Sequence, residues 1–176
     1  FLLNRSSDLE IVDETISYKP EESWNYEAGA HLNLFEDKLH FDLALYYMQI
    51  RNQQLSIMEP TSNFGRIMVN AGKSHSCGLE ATLRGRAIDN ALDWGVSYAF
   101  TNAKFDEYDN YKDNYVPFVP HHTFSAMANY HIGKLTFGAN VAGQGKSWWN
   151  WANTYYQKLY ATLGAHADYD FGKVVV

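Results

Sequence analysis

The feature that most restricts how this chain can fold is a period of two sustained from Cys77 to Phe100. Odd positions Cys77, Leu79, Ala81, Leu83 and Ala87 are apolar, while Gly78, Glu80, Thr82, Arg84 and Arg86 stand between them. A helix would set Leu83 and Arg84 about 100° apart, whereas a strand sends them to opposite faces, so this spacing predicts a strand. Asp89-Asn90-Ala91 interrupts it. Beyond the break the parity inverts, with Leu92, Trp94, Val96, Tyr98 and Phe100 facing away from Asp93, Gly95, Ser97, Ala99 and Thr101. The pair reads as two antiparallel strands joined by a tight turn, each with one greasy face and one polar face.

Ordinary strands cover about 5–6 residues; these alternate for roughly twice that, the length a tilted strand needs to cross a bilayer. The same alternation recurs along the chain. Residues 23–34 place Trp24, Tyr26, Ala28, Ala30, Leu32 and Leu34 opposite Asn25, Glu27, Gly29, His31 and Asn33. Residues 39–52 set Leu39, Phe41, Leu43, Leu45 and Tyr47 against His40, Asp42, Ala44, Tyr46 and Met48. Residues 120–132, 135–146 and 159–171 continue the series, the last opposing Leu163, Ala165, Ala167 and Tyr169 to Thr162, Gly164, His166 and Asp168. Connections alternate between short (35–38, 89–91, 133–134, 172–173) and long (53–69, 107–119, 147–158). Transmembrane barrels of the outer-membrane type have that asymmetry, short turns on one side and long loops on the other. The expected fold is all-β: a portion of an antiparallel up-and-down transmembrane β-barrel, about seven long strands and the start of an eighth. Because the chain opens at Phe1 and stops in Val174-Val175-Val176, the expectation is a piece of something larger.

Composition narrows the classes further. Mean hydropathy is -0.39 and no run of eighteen apolar residues occurs, which excludes a membrane-spanning helix but not a barrel that exposes apolar residues only at alternate positions. The formal net charge of -6, with no basic block, argues against nucleic acid as a partner. Aromatic residues make up 16% of the chain, with thirteen Tyr and five Trp, and gather at strand ends and in loops, as at a membrane interface. The single cysteine, Cys77, allows no internal disulfide.

Particular motifs resemble a known family. "NAG" at 70–72 leads into "GLEAT" at 78–82, a tight turn, and "SYAFTNAKF" at 97–105; "YKPEESWNYEAGAHLNLF" at 18–35 is similar to a recurring entry into a barrel strand. Together these resemble the late barrel strands of TonB-dependent outer-membrane receptors. The resemblance implies that residues 1–176 are part of such a barrel domain, about a third of a receptor built on twenty-two strands, without the plug domain and the final strand. It further implies transport of a scarce solute, a ferric siderophore or other metal chelate, across the bacterial outer membrane. Outer-membrane lipid, the plug domain and the energy-coupling TonB protein are the implied partners, and no cofactor is implied.

Candidate site residues fall in two groups. Tyr108, Tyr111 and Tyr115 in one long loop, and Trp148, Trp149, Trp151, Tyr155 and Tyr156 in another, offer stiff aromatic surface for a solute. An interfacial girdle packed against lipid headgroups accounts for the Trp residues equally well. The polar strand faces supply Glu27, His31, Asp42, Glu80, Arg84, Arg86, His166 and Asp168 as lumen-facing candidates. Glu80, Arg84 and Arg86 share a face and form a row able to clasp an anion, although a wet wall ordinarily carries scattered charges paired across strands. His75 and Cys77 share a face without a nearby third ligand, and adjacent His121 and His122 point apart, so no metal site is expected. No nucleophile-elbow, zinc-helix or phosphate-loop motif occurs, so no enzyme is expected. Two rival readings stay open on the residues alone. One is a soluble β-sandwich that binds carbohydrate or a partner protein. The other is an outer-membrane barrel hydrolase, for which His166 and Asp168 are the least poor dyad.

Overall fold

The computed structural model describes residues 19–58, 66–70 and 72–172. Eleven strands follow one another: β1 Glu22–Leu34, β2 Leu39–Arg51, β3 Gln54–Met58, β4 Arg66–Asn70, β5 Lys73–Ala87, β6 Leu92–Glu107, β7 His122–Ile132, β8 Leu135–Gln144, β9 Ser147–Trp148, β10 Tyr156–Gln157 and β11 Tyr160–Tyr169. Seven of them form one sheet in the order β1-β2-β5-β6-β7-β8-β11, every neighbour antiparallel. The short β3–β4 and β9–β10 pairs stand apart from it. The long strands therefore pair as sequence neighbours, the up-and-down arrangement that the alternating pattern predicts, in a sheet that does not close on itself.

Register turns the period of two into two continuous faces. Leu32, Phe41, Leu83, Val96, Ala126, Val141 and Leu163 lie directly opposite one another across all seven strands. The next row is His31, Asp42, Thr82, Ser97, Ser125, Ala142 and Thr162. A slip by one residue would mix the rows, and no strand slips within this span. The apolar face has no second layer among the described residues: Val96 is 47%, Phe137 48% and Leu163 86% exposed. A soluble β-sandwich would bury these side chains against a facing sheet about 10 Å away. That architecture is absent here.

The connections at 35–38, 88–91 and 133–134 lie at one end. Phe35, Glu36 and Asp37, and likewise Ile88, Asp89 and Asn90, take left-handed conformations, so each turn is four residues wide, one residue more than the 89–91 reading gave the second. Lys38 N donates to Phe35 O at 3.2 Å and Ala91 N to Ile88 O at 2.8 Å. Gly133, at φ 60°, closes the tighter β7–β8 turn. Lys173 of the 172–173 turn, the start of the eighth strand, Pro60, Asn63 and Gly65 all lie outside the described residues. The long connection at 53–69 is corrected in part: it contains the β3–β4 hairpin, with Leu55 opposite Val69.

Candidate functional site

At the loop end the chain builds the only apolar cluster buried among the described residues. Phe105, fully buried at the end of β6, packs with Leu55 of β3 and with Tyr108, Tyr111, Val116 and Trp151. Ring centroids lie 5.1 Å apart for Phe105 and Tyr108, 5.9 Å for Phe105 and Trp151, and 5.8 Å for Tyr108 and Trp151. A short 3-10 turn, Asp109–Tyr111, folds Tyr111 back to 5.5 Å from Tyr108. Three successive long connections thus contribute to one core.

Polar ties join the same segments. Asn153 Nδ2 donates to Tyr115 O at 3.0 Å and Tyr115 N to Asn153 Oδ1 at 2.7 Å, a side-chain copy of a strand pair. Asn114 Nδ2 donates to Trp151 O at 2.8 Å, Phe118 N to Trp148 O at 2.7 Å and His121 N to Lys146 O at 3.0 Å. Lys146 Nζ sits 3.5 Å from the Trp148 ring centre and 4.3 Å from that of Tyr156, a two-ring cation–π contact. Tyr115 meets His121 edge-on at 4.3 Å and lies under Lys104 Nζ at 4.8 Å. Burial, then the nearby His122, Lys146 and Lys104 charges, hold His121 below the ordinary imidazole range, against a raising backbone hydrogen bond with Thr101.

On the polar face of the sheet the charges pair mostly near the short turns. Asp42 Oδ1 lies 2.6 Å from His31 Nδ1, and Asp93 accepts from Arg86 Nε at 3.1 Å while its other oxygen lies 3.0 Å from His131 Nε2. His131 Nδ1 reaches Thr136 Oγ1 at 2.9 Å. His166 Nε2 and Asp168 Oδ2 are 3.4 Å apart, the ring lying over Gly138, where a Cβ would collide with it. Glu27 and Glu80 line one shallow hollow of about 310 Å³ together with Tyr46 and Ser76. Arg84 and Arg86 line another of about 370 Å³, with Asp37, His40 and Asp93.

Residues 7–175 match the family model "TonB dependent receptor-like, beta-barrel". The chain belongs to that family. Among solved structures, it is similar to the siderophore receptor PiuA from Acinetobacter baumannii, with 23% identity and TM-score 0.73 over 89% of this chain and 23% of that one. The ferric citrate transporter FecA gives 26% identity and TM-score 0.73 over 87% and 24%. The ferric yersiniabactin uptake receptor FyuA from Yersinia pestis gives 23% and 0.70 over 85% and 22%. The chain therefore spans about a quarter of the length of these receptors.

Within this TonB-dependent receptor barrel the aromatic candidates divide. Tyr108, Tyr111 and Trp151 pack in the loop core, and Tyr115 and Trp148 are half-buried against the ties; Trp149, Tyr155 and Tyr156 are 53%, 71% and 48% exposed. Glu27, His31, Asp42, Glu80, Arg84, Arg86, His166 and Asp168 all lie on the one polar face, as their register shows. Along the Glu80-Arg84-Arg86 row, Arg86 is held by Asp93, and Glu80 lines a different hollow from the two arginines. Among the described residues no hydroxyl or thiol is hydrogen-bonded to His166. No group of three or more His, Cys, Asp or Glu among the described residues could hold a metal ion, and His75 is engaged by Asp106 at 2.7 Å. Sequence reasoning missed Asn114, Asn153 and Lys146. Their type is common in loops, and only the fold brings them to Trp151, Tyr115 and the Trp148–Tyr156 pair. Asp93 was legible as a polar-face position, though not as the partner of Arg86 and His131.

Proposed function

We propose that this chain forms part of the barrel wall of an outer-membrane receptor that imports a ferric siderophore or similar metal chelate with energy supplied through TonB. The single observation that carries the reading is the pair of faces on the seven-stranded sheet: an apolar one left open for hydrocarbon and a polar one left open for a water-filled lumen. Family membership supports it, and so do the siderophore and citrate receptors of like fold. In this reading Trp149, Tyr155 and Tyr156 are the loop residues best placed to touch the solute, and Glu27 and Glu80 the wall charges left to face the plug or the solute. The wall supplies shape and charge rather than chemistry, so no catalytic step is assigned.

The test is uptake by the whole receptor that carries this chain, placed in bacteria that lack their own iron receptors. Radioiron is offered as its citrate and as its catecholate chelate, with and without functional TonB. Energy-dependent uptake of either one, lost when the receptor gene is deleted, is the expected outcome. Equal uptake with and without the receptor, for both chelates, contradicts an iron-chelate transporter.

A further inference from the structure

We propose that the 107–121 and 145–159 loops move as a single cap, with Asn153 the positioning residue that ties one to the other. The inference goes beyond transport and rests on loop geometry alone. Two features carry it. The first is the double hydrogen bond between the Asn153 side chain and the Tyr115 backbone, at 2.7 and 3.0 Å, backed from the other loop by Asn114 Nδ2 on Trp151 O at 2.8 Å. A pair of amide bonds in strand-like geometry fixes both distance and direction, as a ladder does. The second is the placement of backbone strain. Asp113, Phe118 and Asn153 all take left-handed φ, at 67°, 63° and 52°. Asn and Asp take this conformation comparatively readily, whereas a bulky residue such as Phe118 holds it only where surrounding contacts over-determine it. Each donates its amide within the cap: Asp113 N to Phe105 O, Phe118 N to Trp148 O and Asn153 N to Asn150 O.

The loops therefore share one set of constraints with the Phe105 core beneath them, to which the β3–β4 hairpin adds Leu55. Phe118, 69% exposed, sits on one loop and Tyr155, 71% exposed, on the other. Phe118 is bonded to Trp148, whose neighbour Trp149 donates its amide to Tyr155 O at 2.9 Å. A contact that displaces Phe118 thus displaces Tyr155 with it, and the two loops do not close over the lumen as separate lids.

Hydrogen exchange on the full-length receptor in detergent tests this. Asn153→Gly removes both bonds to Tyr115 yet accepts the φ of 52° without strain. Asn114→Ala cuts the second tie from the opposite loop. Each variant is expected to speed exchange at the amides of Val116, Phe118 and Trp149 by one shared factor, about tenfold for Asn114→Ala, which loses one hydrogen bond, and larger for Asn153→Gly, which loses both bonds to Tyr115. Strand amides of β7 and β8 keep wild-type rates, which shows that the barrel has folded. If each variant speeds only the amides of its own loop, the loops open independently and the proposal falls. That result would leave the transport reading untouched, because uptake is a separate measurement.

Discussion

The sheet and the loop cap are built from similar residues and solve opposite problems. The sheet spreads its apolar side chains over one face and leaves most of them open, with Val96 47% and Leu163 86% exposed. The cap, outside the apolar band, gathers Phe105, Leu55 and Trp151 into a core of its own. The contrast teaches where water is. Apolar surface that must face water is folded inward, at roughly 25 cal/mol per Å² gained, and apolar surface that faces hydrocarbon gains nothing by hiding.

The substitution expected to strain this contrast most is Phe105→Ala. Truncating a fully buried Phe costs about 3–5 kcal/mol. The loss should appear in the cap, as faster proteolysis of the long loops, while the barrel keeps its wild-type resistance to heat in detergent. A barrel that melts with the cap would show that the two regions are not separate bodies. Next in size is Val96→Arg, which puts a charge amid the apolar row and should cost about 2–4 kcal/mol if that position is near the bilayer midplane. Chemical unfolding of the receptor in lipid vesicles measures it, and a cost near zero would remove the hydrocarbon from that face. Asp93→Asn weakens the contacts with Arg86 and His131 on the polar face. Those groups are 39–66% exposed and well screened, so about 0.5–1 kcal/mol is expected in the same unfolding assay.

The smallest effect is acidification of the cap through His121. Burial lowers its folded pKa below 6.5, so the unfolded cap binds the proton more readily. Its contribution is complete above pH about 6.5 and declines as pH falls toward the folded value. Loop exchange rates should therefore rise modestly from neutral pH downward after correction for intrinsic exchange, and His121→Gln should flatten the trend.

The sheet was legible because a period of two is local. Leu83 beside Arg84, repeated over fifteen residues of β5, needs no partner to announce a face. The β3–β4 hairpin was not legible. Five residues, QLSIM, alternate too briefly to be told from a loop, and what places Leu55 is Phe105, some fifty positions away. The same reason hid the division of the aromatic candidates. Trp149 and Trp151 are two apart in the chain and of one type, yet one is exposed and the other lies in the Phe105 core, since loops carry no period from which burial can be read. Pairing of charges on the polar face, such as Asp93 between Arg86 and His131, depends on register between strands, which alternation alone leaves open.

The most direct test of the two-faced wall is a cysteine scan along β6 from Leu92 to Thr101 in the full receptor embedded in lipid, each position carrying a fluorophore challenged by a lipid-confined and a water-soluble quencher. The account predicts alternation: Leu92, Trp94, Val96, Tyr98 and Phe100 quenched from the lipid, and Asp93, Gly95, Ser97, Ala99 and Thr101 quenched only from water, if at all. Uniform quenching along the strand, or the opposite parity, would contradict it.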